Sequence, residues 1–400
     1  MRISTANAYD HSIDALQNRQ TALVKANEQM TTGKRVNRAG DDPAAAARAE
    51  RALASEARFT ASQRAVDASN NAVTLAEAAL GDAEALLQQA REHLVAAGNA
   101  TYNDSNRAVL ADQLSAIRNQ LLTVANRDDG AGNHLFAGQA VDQRPFVDAG
   151  GGVQYQGGDG AALAGSGETL PLSVDGQGPW MRARSGNGVF ETRPTTATGS
   201  AWIDSGRVVN PSALTSSTYS IQFSVAAGVT TYSVLRDGLA TAQTNVAFTP
   251  GQSQAIQVDG MTASITGAPA NGDAFELRPA SSSLSVWGAL DQAIADLKTA
   301  SRTGTQITQS NATNLSKLDA VLGQIQSGRA QMGTLMNRVE AVTGRLAAQK
   351  LAATTERTNA ESLDLTQAIS DFANQQTGYD AALKAYAMVQ RLSLFNYVNG

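Results

Sequence analysis

The sequence has no cysteine, which excludes disulfides and thiolate chemistry. Aromatic residues are only 5% of its 400 residues, whereas Ala, Thr, Ser, Gln and Asn are abundant. That composition suits long helices packed through small side chains better than one compact core. A chain of this length has room for two or three domains. No apolar run approaches the ~18 residues of a membrane span, so a transmembrane helix is excluded. The opening residues Met1-Arg2-Ile3-Ser4-Thr5-Ala6-Asn7 lack the apolar stretch of a Sec-type signal peptide. Export, if it occurs, is expected to read something other than a cleaved leader. The formal net charge is only -5, and no Lys/Arg cluster stands out. The electrostatic footprint of a nucleic-acid binder is therefore missing, and neither nucleic acid nor a membrane is expected as a partner.

What is present is helical periodicity at both ends. Tyr9, Ile13, Leu16, Gln20, Leu23, Asn27 and Met30 alternate in steps of four and three, a heptad seam. Gln20 and Asn27 are polar. Such residues cost stability and specify register, or else they sit at the wet edge of an ordinary bundle. The segment from Thr32 to Gly40 breaks the pattern, and Asp41-Asp42-Pro43 restarts it as a helix cap. A second helix then carries Ala52, Phe59, Val66, Val73, Leu80, Leu87 and Leu94 at seven-residue intervals. Its seam companions Ser62, Ser69, Ala76, Ala83 and Ala90 are small, so a neighbouring helix can come close. Gly98-Asn99 ends it. A third helix holds Leu110, Leu114, Ile117, Leu121 and Val124.

The middle, roughly 139–283, is rich in Gly, Ser and Thr and alternates like strands between turn signals. Tyr219–Val225, Val229–Arg236, Ala255–Val258, Met261–Ile265 and Ala274–Arg278 read as strands. Asp237-Gly238 and Asp259-Gly260 read as tight turns. The last part returns to helix through Leu284, Trp287, Leu290, Ile294 and Leu297. It continues through Leu315, Leu318, Leu322, Ile325, Met332, Met336, Val339 and Leu346, with Arg329 and Thr343 in two seam slots. A final seam runs Leu365, Ile369, Phe372, Gln376, Tyr379, Leu383, Tyr386 and Gln390.

Both termini are thus amphipathic helices that cannot bury their stripes alone, and they must pair with each other or with other copies. The expected fold class is α+β. A long antiparallel helical coiled-coil bundle is built from both chain ends, and a small antiparallel β domain is inserted at about 196–283. Residues 139–195 read as hairpins and loops beside the helices.

Three motifs resemble one family. Glu28–Asn37 (with Gly33) followed by Asp41-Asp42-Pro43 resembles the N-terminal signature shared by flagellins and hook-associated proteins. His134-Leu135-Phe136-Ala137-Gly138, with Pro145-Phe146 after it, is similar to the close of the N-terminal helical region in hook–filament junction proteins of that family. Leu392-Ser393-Leu394-Phe395-Asn396-Tyr397 resembles their C-terminus. The resemblance covers both helical arms, about two thirds of the chain. In the middle, Asn271–Leu277 resembles segments of variable outer domains. The resemblance implies a structural subunit of the bacterial flagellum, secreted and extracellular. Residues 1–40 and 361–400 would form an inner coiled-coil layer. Residues 41–195 with 284–360 would form a stalk, and 196–283 would face outward. It also implies partners: hook-associated protein 1, flagellin, copies of the chain in a ring, an export chaperone on the C-terminal helix and the type III export apparatus. Export would need no cleaved signal peptide.

Rival signals are weak. His11, His93 and His134 are scattered, and none lies in an H-E-x-x-H helix. Asp128-Asp129-Gly130 lacks calcium-loop spacing and reads as a turn. The runs Gly150-Gly151-Gly152 and Gly157-Gly158-Asp159-Gly160 match no phosphate-binding loop. No cofactor, metal or catalytic residue is expected. Two alternatives stay open: a flagellin or another hook-associated axial protein, and a cytoplasmic chaperone-like or signalling coiled coil.

Overall fold

The structure is a computed structural model. It describes the backbone of residues 5–160, 163–165 and 169–398, and the side chains of 10–160, 163 and 169–388. Its long helices are α1 (Thr5–Thr32), α2 (Pro43–Ala97) and α3 (Asp104–Ala125) on the N-terminal side. A short α4 (Gln177–Met181) precedes the β domain, and α5 (Val286–Lys298), α6 (Gly304–Glu361) and α7 (Leu365–Val398) follow it. The chain divides into two compact units, 1–64 with 342–400 and 65–341. Both α2 and α6 contribute residues to each unit.

In the unit 65–341 the heptads of α2 become core. Val73, Leu80, Leu87 and Leu94 are buried, as are Ala76, Ala83 and Ala90 between them. Small residues at alternate seam positions let α6 supply Leu318, Val321, Ile325 and Met332, and let α3 supply Leu114, Ile117 and Leu121. The polar slot at Arg329 is matched from α2: its guanidinium donates to Glu84 at 2.7 Å and to Glu77. Against this bundle sits an aromatic cluster. Trp180 and Trp287 stack at 5.6 Å, Phe136 meets Trp180 edge-on at 5.5 Å, and Phe146 lies 4.9 Å from Trp287.

The β domain belongs to the same unit. A six-stranded antiparallel sheet joins Phe190–Thr196, Ala274–Pro279, Tyr219–Ala226 and Val229–Arg236 in that order, with Leu239–Ala240 and Val246–Ala247 on its far edge. A four-stranded sheet centres on the hairpin Ser253–Val258 to Met261–Thr266. Their shared core packs Phe223 against Phe248 at 5.0 Å and Phe275 at 6.0 Å, over Ile221, Ile256 and Ile265. Asp259 and Gly260 both take positive φ, 35° and 79°, as a two-residue turn matched to strand twist requires.

One element differs from expectation. Residues 190–195 fall in the stretch read as hairpins beside the helices, yet Phe190–Thr196 forms the edge strand of the large sheet. Pro194 cannot donate to a ladder, which restricts such a segment to an edge. Its partner Ala274–Pro279 lies some eighty residues onward, so nothing local announces the pairing.

Candidate assembly surface

The unit formed by 1–64 and 342–400 brings the chain ends together. Gly33 ends α1 with φ +68°, a left-handed conformation that suits glycine at a helix C-terminus. The chain then reverses and pairs with the α6–α7 connection. Arg35 N–H donates to Glu361 O at 2.7 Å, and Leu363 N–H donates to Gly33 O at 3.1 Å. Lys34 pairs with Glu361 at 2.7 Å. With the end of α1 beside the start of α7, the two helices run antiparallel, and Arg19 lies against Gly378 farther along.

Asp41 and Asp42 hold the reversal. Asp41 accepts from Asn37 N–H at 3.1 Å and Arg38 N–H at 3.0 Å, and pairs with Lys25 at 2.8 Å. The Lys25 hydrogen bond leads these in holding the Asp41 carboxyl down at about 2. Asp42 accepts from Ala45 N–H at 2.9 Å, capping α2 ahead of Pro43, and pairs with Arg35 at 3.0 Å. That capping bond, followed by Arg35, also lowers its carboxyl pKa.

The α1–α7 seam is only partly closed. Ile13, Leu16, Leu23 and Met30 of α1 are half-buried, and Ala26 is buried. Across from them Phe372, Tyr379 and Tyr386 of α7 are half-buried. Leu365, Ile369 and Leu383 remain 55%, 51% and 40% exposed. Gln20, Asn27 and Gln376 are also exposed. The side chains of Tyr9, Gln390, Leu392, Leu394 and Phe395 lie outside the described residues. Sequence periodicity missed two further apolar positions on these helices, Val24 and Met388, which are well exposed and fall outside the heptad slots.

The other motif residues serve packing. Phe136 is fully buried in the aromatic cluster. Gly138 takes φ +60°, donates to Val174 O at 3.0 Å, and leaves no room for a Cβ beside the Gly158 carbonyl. Asp128-Asp129-Gly130 forms a turn in which the two carboxylates accept backbone N–H groups. Among the described residues no group of three or more His, Cys, Asp or Glu could hold a metal ion. No helix among them is long and apolar enough to cross a membrane.

This architecture has known relatives. Residues 3–141 match the bacterial flagellin N-terminal helical region, and residues 315–398 match the bacterial flagellin C-terminal helical region. Flagellar hook-associated protein 3 of Salmonella typhimurium is 36% identical over 159 residues, which are 40% of this chain and 50% of that protein. Flagellar hook-associated protein 3 of Escherichia coli is 27% identical over 395 residues, 99% of each chain. The solved flagellar junction protein FlgL from Legionella pneumophila superposes with a TM-score of 0.62 at 27% identity, covering 70% of this chain and 94% of that one. Helical ends that match both flagellin regions, and a likeness to hook-associated protein 3 along nearly the whole length, place this chain in the flagellin superfamily, within the hook-associated protein 3 group of structural flagellar proteins.

Proposed function

We propose that this chain joins the hook-associated part of the flagellum to the flagellin filament, with hook-associated protein 1 and flagellin as its axial neighbours. It does so as a ring of its own copies, held through the α1–α7 pair. The observation that carries this reading is the apolar stripe of α7 left open after α1 has docked: Leu365, Ile369 and Leu383. Burying such a side chain completely is worth about 1.5–3 kcal/mol, of which roughly half remains to be gained at 40–55% exposure, so the stripe favours a partner. Gln20, Asn27 and Gln376 on the same helices would keep the arms soluble before assembly and fix register afterwards. The role is structural rather than enzymatic. The subunit is exported through the flagellar type III apparatus, its C-terminal helix masked by a chaperone beforehand, and it ends outside the cell.

The test is complementation of a cell lacking its own copy. The full chain should appear in isolated flagella. A variant lacking residues 1–40 should retain the helical and β signals of the unit 65–341 by circular dichroism, yet be absent from flagella. Incorporation of the deleted variant would overturn the proposal. A flagellin reading would instead require the purified chain to grow long filaments alone, and short or no polymers are expected.

A further inference from the structure

The unit that carries the open stripe also carries a second unpartnered surface of complementary chemistry. A groove of about 630 Å³ runs between α2 and α6. Small residues line it, Ala348, Ala352 and Ala360, and Leu351 stands beside them 68% exposed. Arg48 forms its α2 rim. Arg51 and Arg58 follow Arg48 on the same flank of the helix, three and ten residues on. All three are exposed, and none has a carboxylate partner among the described residues. Arg51 reaches only Ala47 O at 3.1 Å, and Arg58 only Ser55 Oγ at 3.0 Å. Arginine is among the residues enriched at protein interfaces, and an exposed leucine beside it adds apolar area to cover.

Charge is also unevenly shared. The unit 1–64 with 342–400 carries fifteen Lys and Arg against twelve Asp and Glu, in a chain whose net charge is -5. Within this unit the start of α7 runs against that trend. Asp364 and Asp371 are both exposed and seven residues apart, with Leu365 and Ile369 between them. Asp364 caps α7 by accepting from Thr366 N–H at 3.0 Å, and Asp371 accepts from Gln367 Nε2 at 3.0 Å, so neither carboxylate is ion-paired. Arg51 and Arg58 are likewise seven apart. Both pairs therefore span about 10.5 Å along their helices.

We infer that the α2–α6 groove of one copy receives the first turns of α7 from a second copy. Leu365 and Ile369 enter over Ala348, Leu351 and Ala352. Asp364 and Asp371 meet Arg51 and Arg58 pair for pair. A copy's own α7 does not fill its groove, because Leu351, Leu365 and Ile369 are all exposed within one chain. Groove and stripe are different surfaces, so each copy offers both and the contact repeats from copy to copy. The inference rests on the assembly of copies proposed above and specifies its contact.

The absence of cysteine makes the test clean, since an introduced thiol is the only one in each copy of this chain. One variant carries Leu351→Cys and another Ile369→Cys, and both are expressed in a cell lacking its own copy. Isolated flagella are then mildly oxidised. A covalent dimer should form at least ten-fold more when both variants are present than with either alone. Arg51→Glu with Arg58→Glu in the Leu351→Cys copy should cut that yield ten-fold. Adding Asp371→Arg to the Ile369→Cys copy should recover a several-fold part of it. Flagella that contain both variants but yield no dimer, or that link Leu351→Cys to a different protein, would overturn this contact while leaving assembly itself standing. Absence of the unmodified chain from flagella would instead overturn the assembly reading.

Discussion

At the residue scale, single carboxylates and glycines hold the irregular segments. Asp273 is fully buried in the β domain. Burial pushes its carboxyl up, but bonds from Thr198 N–H, Ala270 N–H, the Thr198 hydroxyl and Gly199 N–H outweigh that and bring it below the ordinary value. Asp273→Ala would strand three backbone donors and should cost about 3 kcal/mol, read by urea unfolding of the β domain. Asp41 and Asp42 give a pH prediction. Both carboxyls are depressed in the folded state, so their contribution is present above about pH 4 and is lost as pH falls below it, toward about 2 for Asp41. Limited proteolysis between residues 33 and 42 should accelerate over that window, and Lys25→Met should shift its onset upward. Gly138→Ala meets both a positive φ and the Gly158 carbonyl, and should destabilise the unit 65–341 by about 2 kcal/mol or more, measured by thermal unfolding. The Asp42 cap and the glycine turns were legible locally. The Arg329 pairing with Glu77 and Glu84 was not, because its partners lie some 250 residues away.

Among the elements, α2 shows how one period serves two ends. Leu87 has no exposed surface, and Leu87→Ala should cost about 3 kcal/mol in urea unfolding. Leu351→Ala, on the open flank of α6, should stay within about 0.5 kcal/mol in the isolated protein. A large loss for Leu351→Ala would mean that the groove is already filled within one copy. Pro43 fits the first turn of α2 without being required there. Pro43→Ala should leave helicity by circular dichroism nearly unchanged, because the Asp42 cap on Ala45 N–H stays in place. The strand alternation of Tyr219–Ala226 and Val229–Arg236 was legible because each strand turns one face into the core, Ile221 and Phe223 from the first and Tyr232 and Val234 from the second. Phe190–Thr196 was not, for the reasons its edge position and Pro194 supply.

For the molecule as a whole, the balance lies between a dense core and sparsely covered ends. The buried heptads of α2, α3 and α6 should give amides of the unit 65–341 slow hydrogen exchange. Isolated helices with half-covered, partly polar seams are marginal, so amides of 10–32 and 365–388 should exchange orders of magnitude faster in the monomer and slow on assembly. Slow exchange at those segments in the monomer would contradict an arm that waits for its partner. The sequence by itself determined the helical periods, the β insertion, the turns at Asp-Gly and the existence of two terminal stripes, because each is set by spacing along a few residues. Only the tertiary structure decided which flank of α7 is taken by α1 and which stays open. It likewise decided that Arg48 rims a groove on α6, with Arg51 and Arg58 farther along the same flank of α2, because a repeat fixes which side chains share a face and leaves open what that face meets.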